Sequence, residues 1–159
     1  MGEIAIKLVV RLSEKYNLPV YTLLMSNSNV ASLVQIEKEG IKVIKEATGP
    51  KDYLSLIRNA NLVATDSFHG TAFSIIFERP FLCVNERREA GSVRNDERLV
   101  NILKIVGLED RYMLLEDLDK IEIDRTIDYT IVTKKLEIAE SNKKILFEAI
   151  NSDKGKEIS

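Results

Sequence analysis

Apolar positions near the start of the chain fall at helical spacing: Ala5, Leu8, Val9, Leu12 and Tyr16 make one stripe over residues 3–16. Asn17 and Pro19 end that helix, and Val20 to Met25 reads as a short buried strand. A polar loop, Ser26-Asn27-Ser28-Asn29, follows, and Ile41-Lys42-Val43-Ile44 alternates as a half-exposed strand does. Thr48-Gly49-Pro50 marks a turn with Pro50 suited to the first helical position, and Leu54, Leu56 and Ile57 face inward on a helix ending near Ala60. Leu62-Val63-Ala64-Thr65 is another short buried strand, and Asp66-Ser67-Phe68-His69-Gly70 leads from it into an apolar helix through Phe77. Pro80 opens the buried strand Phe81-Leu82-Cys83-Val84, and a charged loop runs from Asn85 to Arg94. Asn95 then begins a helix with Leu99, Ile102, Leu103 and Val106 inward and Gly107 at the C′ position. Tyr112 to Leu115 is a further short strand, residues 128–152 form one long amphipathic helix, and residues 153–159 are a frayed tail.

Short apolar strands alternating with helices predict an α/β fold, a Rossmann-like parallel sheet with helices on both faces, in a single domain over residues 1–152. Such domains usually start with a strand, whereas this chain starts with a helix, so a first strand, edge or central, is expected to be missing. Ligands of open α/β sheets bind beyond the carboxyl ends of the strands. That rule selects four loops: 26–33, 46–49, 66–70 and 85–95.

Composition narrows the function. The 159 residues, 45% apolar and 30% charged, suit one soluble globular domain. Lys+Arg 23 against Asp+Glu 25 leaves a net charge of −2, which argues against a general nucleic-acid binder or a polybasic membrane binder. A lone cysteine forms no disulfide within the chain, and with a single histidine it makes no four-ligand zinc site. A reducing compartment, the cytoplasm, is therefore expected, with no metal, no bound cofactor and no transmembrane segment of the roughly 20 apolar residues that a bilayer requires.

Two of the four loops hold unusual residues. His69, the sole histidine, lies at the predicted start of a helix, where unpaired N–H groups and the helix dipole favour a phosphate or carboxylate. Gly70 there removes a side chain that would block an anion. Arg87, Arg88, Arg94 and, a turn further on, Arg98 offer guanidinium groups for bidentate anion recognition. Each feature also has a plain structural explanation. Asp66 or Ser67 is explained as a helix cap, His69 as a hydrogen-bonded core histidine, Asn95 as a cap before Asp96 and Glu97, and the arginines as partners of neighbouring acids. Cys83 reads as core. Spacing alone yields an anion site and no reaction.

The stretch Asn59-Ala60-Asn61-Leu62-Val63-Ala64-Thr65-Asp66-Ser67-Phe68-His69-Gly70-Thr71-Ala72-Phe73-Ser74 resembles the polysaccharide pyruvyl transferase family. So do Gly49-Pro50-Lys51-Asp52-Tyr53-Leu54 upstream, and Gly91-Ser92, Asn95, Arg98 and Gly107-Leu108-Glu109-Asp110-Arg111 downstream, a coverage of about residues 4–150. The resemblance implies transfer of the pyruvyl group of phosphoenolpyruvate onto two hydroxyls of a sugar, as a cyclic ketal in polysaccharide biosynthesis. It implies the C-terminal half of a glycosyltransferase-B-like fold, with an N-terminal domain as partner, while the long C-terminal helix and an exposed sheet edge favour association with a second copy. His69 and Asp66 are then the expected catalytic residues, and Ser67, Gly70, Thr71, Arg94, Asn95 and Arg98 the donor-binding ones. Some relatives carry arginine where this chain has Ser67, so Arg94 or Arg98 is expected to supply that charge. Two other readings compete: a catalytically incomplete anion-binding or assembly module, and a sugar-nucleotide glycosyltransferase.

Overall fold

Helix α1 spans Glu3–Tyr16 and ends as its sequence predicts, with Asn17 at positive φ (50°) and the Leu18 N–H reaching back to the Ser13 carbonyl at 3.1 Å. The remaining elements of this computed structural model are β1 (Tyr21–Leu23), β2 (Lys42–Ile44), α2 (Pro50–Asn59), β3 (Val63–Thr65), α3 (Phe68–Ile76), β4 (Phe81–Asn85), α4 (Glu97–Val106), a 3-10 turn (Glu109–Arg111), β5 (Tyr112–Leu114) and α5 (Tyr129–Lys154). The structure describes residues 3–23, 34, 36–45, 49–85, 97–114 and 126–154. The expected loops 26–33 and 85–95, apart from Asn85, and residues 46–48 of the loop 46–49 lie outside them, as does residue 115 of the last predicted strand.

All the strand pairs are parallel. They form two small sheets: β1 beside β2, and β3-β4-β5 with β4 central. This is the mixed α/β architecture that the alternation of strands and helices predicts.

Strand β4 is buried from both sides, as a central parallel strand should be. Phe81 and Cys83, both 0% exposed, face Ile75 of α3, Leu99, Leu103 and Val106 of α4, and Val132 of α5. Leu82 and Val84 face the other way, onto Leu8 and Leu12 of α1. A second stripe of α1, headed by Ile6, packs with Ile36, Ile41, Val20 and Val43 beside the β1–β2 sheet. Burying each large aliphatic side chain contributes about 1.5–3 kcal/mol, so α4 is anchored by its three inward residues. It closes on Gly107 (φ 71°) with Leu108 N–H to Leu103 O at 2.9 Å, the expected C′ glycine in a Schellman motif.

Three expectations need correction. β1 and β3 were expected to be buried, yet Tyr21 is 53% exposed and Ala64 is exposed. The reason is that β1 pairs with β2 alone and β3 with β4 alone among the described residues, so each presents an unshared edge. Helix α5 runs on to Lys154, beyond the predicted end at 152, and among its described side chains the anchors lie chiefly at its start. There Val132 is buried and the Tyr129 hydroxyl donates to the Arg79 carbonyl, whereas Ile131, Ile138 and Ile145 point outward.

Candidate functional site

Strand β3 stops at Thr65 because its side chain turns the backbone: the Thr65 hydroxyl oxygen accepts the Ser67 N–H at 3.1 Å, two residues on. Ser67 then sits at the N-cap of α3 in extended conformation (φ −94°, ψ 134°). Its carbonyl takes the first intrahelical bond, from Thr71 N–H at 3.0 Å. The backbone N–H groups of Phe68, His69 and Gly70 therefore precede the helical ladder and collect at the carboxyl end of β3. This is where the switch from strand to helix should favour an anion.

His69 is exposed, which removes the core-histidine explanation. Its ring lies edge-on to Phe68, with centroids 5.8 Å apart at 80°. The Arg98 guanidinium sits over the same Phe68 ring at 5.5 Å. Phe68 thus stands between an imidazole from α3 and a guanidinium from the first turn of α4, a cation–π contact of about 0.5–1 kcal/mol at an exposed position. Both side chains can reach solvent at the open end of α3.

The other expected residues divide. Asp66 is exposed next to the turn, and the N-cap position is held by Ser67, not Asp66. The Ser67 side chain makes no capping bond to the helix; it lies near the Tyr53 phenol of α2. Burial pushes the Tyr53 phenol above its ordinary range, the Ser67 side chain opposes this, and the Asp66 carboxylate adds to the rise. Gly70 is buried and faces Thr65, whose side chain leaves no room for a β-carbon there. Thr71 is 0% exposed, with its hydroxyl unpaired inside the fold. Cys83 is buried in β4, as expected of a core residue. Arg87, Arg88, Arg94 and Asn95 fall outside the described residues.

The sequence reading missed Tyr53, Thr65 and Phe68 as parts of the site. Tyr53 arrives from a separate helix, held by an edge-on contact with Phe73 at 6.4 Å, and no local pattern announces that meeting. A signal for Thr65 did exist: a hydroxyl-bearing strand end with a glycine one helical turn further on. Among the described residues no three His, Cys, Asp or Glu side chains gather as a metal site would require.

A search of curated proteins and a search of solved structures return no match. The family model for polysaccharide pyruvyl transferase matches residues 2–88. That range includes β3, the 65–70 turn and α3, and it lies in the N-terminal part of this chain. It stops short of Arg94, Asn95, Arg98 and the Gly107–Arg111 segment, so the match does not extend to residue 150 as expected. With more than half of its residues inside that match, the chain belongs to the polysaccharide pyruvyl transferase family.

Proposed function

We propose that this domain supplies the donor side of a pyruvyl transferase, holding phosphoenolpyruvate at the amino end of α3 for transfer to a sugar diol. The observation that carries the reading is the array of exposed His69, the Phe68 ring and the Arg98 guanidinium beside the first N–H groups of α3. An anion there is stabilised by the helix dipole and by both cationic side chains.

The chemistry asks for a proton on the methylene carbon of phosphoenolpyruvate, which makes the adjacent carbon electrophilic. The His69 imidazolium is the donor of that proton, or the counter-charge of the phosphate. One sugar hydroxyl adds to the carbon, phosphate leaves, and the second hydroxyl closes the ketal as both give up their protons. Asp66, three residues before His69 in the chain, is the candidate carboxylate to accept one. In this reading the chain corresponds to the C-terminal half of a glycosyltransferase-B-like enzyme, and the acceptor sugar is bound largely by the other half.

Calorimetry with phosphoenolpyruvate at low ionic strength tests the proposal. The expected result is measurable binding to the wild type and at least a tenfold loss of affinity in His69→Ala. Equal affinity in the two proteins, or no binding to a folded wild type, overturns it. An assembly module without catalysis is the second reading, favoured by the outward Ile131, Ile138 and Ile145 of α5. Concentration-dependent association without phosphoenolpyruvate binding would carry that alternative.

A further inference from the structure

We infer that Phe68 is a positioning residue of the donor site: its half-buried ring holds the Arg98 guanidinium at the amino end of α3. The inference rests on the phosphoenolpyruvate reading above. It adds the means by which a cation carried by one helix serves a site built on another.

Two helices supply the two cations, and their backbones alone do not bring the charged groups together. His69 belongs to the first turn of α3, and its place follows from the turn that Thr65 and Ser67 build. Arg98 belongs to the first turn of α4. The next residue, Leu99, is 1% exposed and fixes that turn in the core with Phe81 and Cys83. The Arg98 side chain itself is exposed and long, so a fixed backbone still leaves its guanidinium many places to stand. A side chain that must be ordered when the ligand arrives weakens binding by the entropy it then loses.

The Phe68 ring removes that ambiguity. It packs against the same core cluster as Leu99, so the ring and the start of α4 share one rigid support. The Arg98 guanidinium lies over the ring, 5.5 Å from its centroid. The His69 imidazole meets the same ring with centroids 5.8 Å apart. An aliphatic side chain could fill much of the same volume but would offer no negative ring face to a cation. A guanidinium kept over an aromatic ring still presents N–H donors to an anion, which an arginine can do and a point charge does less well. An exposed cation–π contact corresponds to about a two- to fivefold preference for the held position. Phe68 should therefore matter to affinity by that factor, and through Arg98.

A double-mutant cycle tests this, read by calorimetry with phosphoenolpyruvate at low ionic strength and with thermal melting to confirm folding. Phe68→Leu should weaken binding about two- to fivefold, and Phe68→Tyr should bind as the wild type does, because its ring keeps the cation. In the Arg98→Ala background, Phe68→Leu should cost nothing further. General damage to the site would instead carry the same loss into both backgrounds. That equal loss, no loss in Phe68→Leu, or weakened binding in Phe68→Tyr overturns the inference while the pyruvyl-transfer reading stands, since the wild type still binds. Absence of binding by a folded wild type overturns that reading and the inference with it. Should Phe68→Leu fail to fold, proton magnetic resonance of the wild type decides. The Arg98 side-chain signals, assigned by their loss in Arg98→Ala, should be displaced upfield by the ring current, and ordinary arginine positions for them overturn the inference.

Discussion

Thr65 fills the space that a β-carbon on Gly70 would need. A carbon built there would collide with the Thr65 hydroxyl oxygen and lie 3.0 Å from its Cβ and Cγ2. The same hydroxyl accepts the Ser67 N–H, so it cannot swing aside without releasing the turn before His69. Gly→Ala in an open helix gains up to about 1 kcal/mol from propensity, but a contact this short reverses the sign. Gly70→Ala should destabilise the protein by about 1–3 kcal/mol in urea denaturation. Thr65→Ala combined with Gly70→Ala should recover part of that loss, a coupling of about 0.5–3 kcal/mol. Strict additivity of the two changes would show that the contact does not matter.

The Tyr53 phenol of α2 lies near Ser67 at the turn, and burial raises it above its ordinary range. Removing the hydroxyl in Tyr53→Phe should cost no more than about 0.5–1.5 kcal/mol of stability, the usual worth of one hydrogen bond. Alkaline ultraviolet titration should lose one late-ionising tyrosine in the variant. An unchanged titration curve would dissociate Tyr53 from that late phase.

Charge at the α3 terminus should govern anion affinity. Arg98→Glu should weaken phosphoenolpyruvate binding about tenfold, and the double reversal with Arg94→Glu should weaken it further. Arg98→Lys should retain most of the affinity, since the cation over Phe68 survives. Both reversals together leaving affinity untouched would discard the idea that these arginines hold the donor. The affinity of the wild type should also fall as salt rises.

Tyr129 makes a prediction about pH. Burial pushes its phenol up to about 12, outweighing the opposing pull of Arg111 and Arg79. The neutral form is therefore favoured by folding, and the unfolded chain ionises first. This contribution is fully present below about pH 10, the ordinary tyrosine value, and is lost as pH climbs through about 12. Melting temperature should drop across that window, and Tyr129→Phe should flatten the drop while lowering stability at neutral pH, because the Arg79 carbonyl loses its donor.

Much of this fold is visible in the order of residues. The stripe of α1, the Pro50 start of α2, the inward face of α4 and the Gly107 stop all follow from local spacing and backbone preference, which act within a turn or two of chain. The placement of His69 at a helix start beyond a strand end is legible for the same reason. Less legible was the exposure of β1 and β3, because burial depends on which strands become neighbours. The packing of Thr65 against Gly70 was not legible either, because the two meet only once strand and helix are folded against each other.

By itself the sequence determined the alternation of strands and helices, the buried character of Phe81 to Val84 and the family resemblance around His69, all carried by short-range pattern. Tertiary structure alone decided that Arg98 reaches Phe68, that Tyr53 reaches Ser67, and that α1 bridges two sheets that share no ladder. Those are meetings between elements far apart in the chain, set by packing, which residue order constrains only through the finished fold.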